Sequence, residues 1–64
     1  MIVSQHLPTS TLLDVKINDK ISDEKGTAGK VEHIQIEETD EYLLFLFQLI
    51  NGEIISVKKV KNIC

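Results

Sequence analysis

Hydrophobic and polar positions alternate with period two along much of the chain, and polar, glycine-bearing stretches break the alternation at short intervals. Period two is the signature of half-buried strands. From Leu12 to Ile21, Leu13, Val15 and Ile17 fall on one side and Asp14, Lys16 and Asn18 on the other, which predicts a strand. Ser22 to Gly26 is polar and ends in glycine, a loop by composition. Ala28 to Glu37 resumes a strand pattern with one fault: Val31 belongs to one face, whereas Ile34 and Ile36 fall on the other. Either this strand is wrapped on both sides or it carries a bulge near Glu32 and His33, as strands of small barrels do where they bend.

Glu37 to Glu41 reads as an acidic, solvated turn. Tyr42 to Ile50 then gives nine residues with Gln48 as the one polar member, and Asn51-Gly52 follows at once. Asn-Gly between apolar runs is the strongest short-range hairpin cue and predicts a type I′ turn, with positive φ at both central residues. Glu53 to Lys59 supplies the returning strand with Ile55 and Val57 inward, and Val60 to Ile63 a last half-turn or strand. No helix is predicted, because Tyr42 to Ile50 is apolar on every side and ends in a hairpin. Residues 1–11, with Pro8 and Thr9-Ser10-Thr11, read as an amino-terminal arm or edge strand. Residues 12–64 form a single domain of about five short antiparallel strands with turn signals about every 8–12 residues, an all-β barrel or sandwich with little or no helix.

Composition narrows the function classes. At 64 residues, 42% hydrophobic and 27% charged, the chain is one small folded domain, and it lacks the run of about 18 apolar residues that a membrane span needs. Ten acidic residues stand against seven lysines, with no arginine and a net charge of −3. Phosphate contacts draw on Lys and Arg, and base-edge readout relies most on the arginine fork, so nucleic acid is the less favoured partner. Cys64 is the single cysteine, so no internal disulfide staples the fold, and a cytoplasmic location is expected. The first residues, Met1 to Pro8, show neither the basic leader nor the long apolar run of a signal peptide.

Three segments together resemble a known fold. Ile17-Asn18-Asp19-Lys20-Ile21, then Gly26-Thr27-Ala28-Gly29-Lys30-Val31 with Ile34 after it, and Asn51-Gly52-Glu53 in a hairpin, resemble the SH3-like barrels that contain a KOW-type element. The resemblance covers residues 15–63. It implies a small barrel in which a strand of the form hydrophobic-x-Asp-x-hydrophobic leads through a glycine loop into the sheet and a late hairpin closes it. Nucleic-acid-binding members of that group are basic around the glycine loop, whereas here Asp23 and Glu24 precede it. Gly26 and Gly29 read as backbone devices that let a strand enter the sheet after a sharp turn. The alternative, a backbone-clamping GxxG loop, requires flanking helices.

No catalytic or metal signature is complete. His6, His33 and Cys64 are the available ligands or nucleophiles, yet no pair lies at metal spacing on one element. The carboxylates Glu37, Glu38, Asp40 and Glu41 lack a cleft to separate their pKa values. No enzyme activity and no cofactor are therefore expected. Lys30, Lys58, Lys59 and Lys61 would make a patch for an anionic partner if the last strand lay beside the strand after Gly29; otherwise they blunt strand edges against aggregation.

Tyr42 to Ile50 carries the sharpest question. Leu43, Phe45, Phe47 and Leu49 are the bulkier set and are assigned to the core with Val15, Ile17, Ile21, Val31, Ile55 and Val57. Tyr42, Leu44, Leu46 and Ile50 then need a different cover, either the arm residues Ile2, Val3 and Leu7 or another protein chain. A domain below about 70–80 residues without disulfide or metal draws only about 3–5 kcal/mol from its core, which oligomer formation would supplement. The favoured expectation is a non-catalytic module that binds another protein or itself, of a kind suited to a phage or mobile-element regulator of a host protein. A KOW-like nucleic-acid or ribosome-associated module using the four lysines is the second. An acidic decoy presenting Glu37, Glu38, Asp40 and Glu41 to a nucleic-acid-binding protein is the third.

Overall fold

A computed structural model describes residues 1–61 of the chain. A five-residue helix, α1 (Thr9–Leu13), precedes four strands: β1 (Lys20–Ser22), β2 (Ala28–Glu38), β3 (Tyr42–Leu49) and β4 (Ile54–Val60). They form one sheet in the order β1-β2-β3-β4, and every neighbouring pair is antiparallel. The fold is all-β with little helix, as the alternation implies. The half-turn or strand expected up to Ile63, and the thiol of Cys64, lie outside the described residues.

The segment expected to be the first strand is instead α1 and a turn. Pro8 stands just before the helix with φ −59° and ψ 146°, and its carbonyl accepts from Thr11 N–H at 3.0 Å and Leu12 N–H at 3.2 Å. Proline is suited to a helix start because the N–H it lacks would have no partner there. Leu12 and Val15, three residues apart, are both buried, whereas Leu13 and Ile17 are exposed, which removes Ile17 from the predicted core. Helical spacing therefore decides this segment, and the alternation of Leu13, Val15 and Ile17 is incidental. The chain then turns at Lys16–Asp19, where Lys16 N–H donates to Asp19 Oδ2 at 2.9 Å, and Asn18 takes φ 77°. Asn is one of the few residues that adopt this left-handed conformation at small cost.

β2 contains the bulge that its faulty alternation suggested. Val31 pairs with Leu49 and His33 with Gln48, so two steps along β2 match one along β3 and Glu32 is the extra residue. The extra residue resets parity, placing Val31, Ile34 and Ile36 on one face opposite Leu49, Phe47 and Phe45. β3 and β4 are joined at the predicted hairpin, but its turn is of another type. Gly52 N–H donates to Leu49 O at 3.0 Å, and only Gly52 of the Asn51-Gly52 pair has positive φ, +89°. This is the three-residue loop in which an ordinary turn is followed by a left-handed glycine. The Asn51 side chain is used elsewhere, donating to Ala28 O at 3.1 Å and accepting from Glu53 N–H at 3.0 Å. Gly29 lies under this turn: a Cβ there would stand 3.3 Å from both Asn51 Nδ2 and Leu49 Cδ1.

Phe45, Phe47 and Leu49 form the centre of the core with Val31, Ile55 and Val57, and Val15, Ile21 and Leu12 close it from the helix side. Leu43 is partly buried against the same cluster. Two members were not expected from the sequence, Leu12 and, farther from the sheet in sequence, Val3. Val3 N–H donates to Ser22 O at 2.7 Å, Ser22 N–H donates to Met1 O at 2.9 Å, and Ile2 makes a parallel bridge to Ser22. The arm thus runs along the free edge of β1 and then reaches toward β4, where the Lys59 ammonium donates to Gln5 O at 2.6 Å. Val3 is buried in the core, and Leu7 packs against it.

Candidate interaction surface

The three long strands have two unlike faces. Strand alternation sends Phe45, Phe47 and Leu49 of β3 into the core, so Tyr42, Leu44 and Leu46 point to the other side. The same parity brings Gln35 and Glu37 of β2 opposite Leu46 and Leu44, and Ser56 and Lys58 of β4 opposite the same two leucines from the other flank. Ile54 and Val60 complete this outer face on β4, 61% and 72% exposed. Tyr42, Leu44 and Leu46 are half-buried. The Lys58 ammonium lies 4.4 Å from the Tyr42 ring centroid. That contact is a cation–π pair.

Of the two covers considered for this face, the chain does not supply the first. Val3 and Leu7 lie with the core on the opposite side of the sheet, and Ile2 is exposed. The arm therefore completes the core and leaves Leu44 and Leu46 outside. Ile50, grouped with them by parity, sits in the turn after β3 ends at Leu49 and is exposed at the hairpin tip.

The lysines do not converge. β3 lies between β2 and β4, so Lys30 is not beside the last strand, and it pairs across β1 with Lys20. Alternation along β4 puts Lys58 on the outer face and Lys59 on the core side, where it holds the arm. Lys61 forms an ion pair with Glu38 at 2.8 Å. The Lys61 hydrogen bond, reinforced by the charge of its ammonium, holds the Glu38 carboxyl below the usual carboxylate range. The acidic group is divided as well: Glu37 and Glu38 extend β2 on opposite faces, and Asp40 and Glu41 remain in the turn. Thr39 shapes that turn, its hydroxyl accepting from Tyr42 N–H at 3.1 Å.

An open cleft of about 520 Å³ runs between the arm, the loop after β1 and the edge of β4, lined by Ser4, His6, Asp23, Glu24 and Lys58 among others. The Asp23 carboxylate accepts from Lys25 N–H at 2.9 Å and Thr27 N–H at 2.8 Å, so it acts as a loop-former. His33 is on the outer face opposite Gln48, away from His6 in the cleft. Among the described residues, no three His, Cys, Asp or Glu side chains are grouped as a metal ion requires. Nor is any helix among them long and apolar enough to cross a membrane.

Fold and surface together define a small antiparallel all-β protein with an apolar row, Tyr42, Leu44 and Leu46, along the outer face of its sheet between polar flanks. The chain matches no protein-family model, no curated protein and no solved structure. The resemblance to SH3-like barrels accordingly rests on the sequence motifs.

Proposed function

We propose that the chain is a non-catalytic interaction module that docks a protein on the outer face of β2, β3 and β4, in a cytoplasmic setting consistent with its single cysteine. One observation carries this reading: the arm is committed to the core, so Leu44 and Leu46 have no cover from it while Ile54 and Val60 flank them in solvent. Contiguous apolar surface of this kind, rimmed by polar residues, marks interaction sites. Burial of apolar surface favours association, and an aromatic side chain on the central strand of such a face, as Tyr42 is here, is the kind of residue that anchors an interface.

The KOW-like reading draws less support, since Lys59 and Lys61 already bind Gln5 and Glu38 and Lys30 stands apart. The test is retention of proteins from a native lysate by tagged chain, with and without nuclease, alongside a Leu44→Asp/Leu46→Asp variant. The expected result is a nuclease-resistant partner retained by the parent and lost by the folded variant. Retention abolished by nuclease would overturn the reading in favour of nucleic acid.

A further inference from the structure

The outer face carries its charges in a pattern that selects its occupant. Glu37, Leu44 and Lys58 lie in one row across the sheet, acid on the β2 flank and base on the β4 flank. Gln35, Leu46 and Ser56 form the next row, again with polar groups on both flanks and leucine between. Building on the docking role proposed above, we infer that the occupant is a second copy of this chain, packed face to face about a two-fold axis parallel to β3.

A rotation by half a turn about that axis exchanges the flanks and keeps the rows level. Glu37 of each copy then stands over Lys58 of the other, and Gln35 over Ser56, while leucine meets leucine along the centre. The alternative axis, running across the strands, would set Glu37 against Glu37 and Lys58 against Lys58 if it passed through their row, and Glu37 against Gln35 and Lys58 against Ser56 if it passed between the rows, so that in neither case does Glu37 meet Lys58. Like charges directly opposed are costly, so the charge pattern discriminates between the two rotations. Packed sheets lie about 10 Å apart, a gap that a glutamate and a lysine side chain reaching from either side can bridge. The outcome is an apolar centre between two ion pairs, the ordinary arrangement of a protein interface. With β3 eight residues long and three strands across, the face measures about 26 by 14 Å, or about 360 Å² in projection. A standard interface buries about 800 Å² per partner, so this dimer is weak and must be sought at high protein concentration.

The test is analytical ultracentrifugation of the full chain up to about 1 mM, a range that reaches weak association. The parent, Glu37→Lys, Lys58→Glu, the doubly reversed variant and Leu44→Asp/Leu46→Asp are compared, each checked for folding by circular dichroism. The expected result is a reversible dimer in the parent, weakened by about tenfold or more in each single reversal and restored to within about threefold in the double reversal. A parent that stays monomeric throughout overturns the second copy as occupant and leaves the docking face for a different protein. A dimer that survives in the folded aspartate variant uses another surface and overturns the second copy as occupant of this face, again leaving the docking reading to the lysate test. A dimer indifferent to the charge reversals overturns the axis. Should the aspartate variant fail to fold, amide chemical shifts of the parent on dilution decide the surface: those of Leu44, Leu46 and Lys58 are expected to move and those of Leu13 to stay, and the reverse overturns the proposal.

Discussion

The rings of Phe45 and Phe47 stack with centroids 6.2 Å apart and planes inclined by 13°, two residues apart on β3 and both fully buried. Side chains two apart on a strand share a face, so this stack is the direct product of alternation. Each phenyl ring also fills the space between the sheet and the elements packed over it, where Leu12, Val15 and Val3 converge.

Phe45→Ala removes one half of the stack and leaves a cavity that rigid strands on both sides cannot close. A loss of about 3–5 kcal/mol is expected, comparable with the whole stability of so small a domain. Urea unfolding followed by circular dichroism measures it. A variant that melts like the parent would place the core on the other face of β3.

Val3 and Ile2 are neighbours with opposite fates, one buried and one exposed. Val3→Ala should destabilise by about 2 kcal/mol, the worth of a buried valine, whereas Ile2→Ala should stay within about 0.5 kcal/mol. Thermal melts of the two variants side by side check this. Equal effects would mean that the arm is not part of the core.

Lys61 and Glu38 give a pH dependence of defined sign. The folded-state carboxyl titrates below its unfolded counterpart because Lys61 hydrogen-bonds to the charged form. Its contribution to stability is therefore complete above the ordinary carboxylate pKa and disappears as pH falls through the lowered folded value. Glu38 is exposed, so solvent keeps that contribution small. Lys61→Ala should return the Glu38 titration to the ordinary range, read from its side-chain carboxyl resonance in an NMR titration; an unchanged midpoint would show that Lys61 does not set it.

β2, β3 and β4 were legible to within a residue or so because each is long, strongly patterned and bounded by turn residues. The odd-numbered core set of β3 and the bulge in β2 follow from the same alternation. Residues 1–11 were legible as an arm or edge strand, but the burial of Val3 was not, since nothing local marks it as core: its place depends on the free edge of β1, a tertiary circumstance. Thr9–Leu13 is too short to show a helical period, and the chance alternation around Leu13 and Ile17 outweighed the proline signal. Ile50 was misassigned because parity carries no information about where a strand ends. Leu44 and Leu46 were recognisable as needing a cover, and only the three-dimensional course of the arm separates the two covers considered.

Glu32 has a consequence for how this chain tolerates changes in length. Elsewhere in β2, loss of one residue would turn every side chain beyond it to the opposite face. At the bulge the strand already holds one residue more than its partner requires, and removing Glu32 would join Val31 to His33 in plain alternation with Ile34 and Ile36 still inward. A single-residue deletion, ordinarily the most disruptive edit to a sheet, therefore leaves both faces of β2 intact when it falls at the bulge.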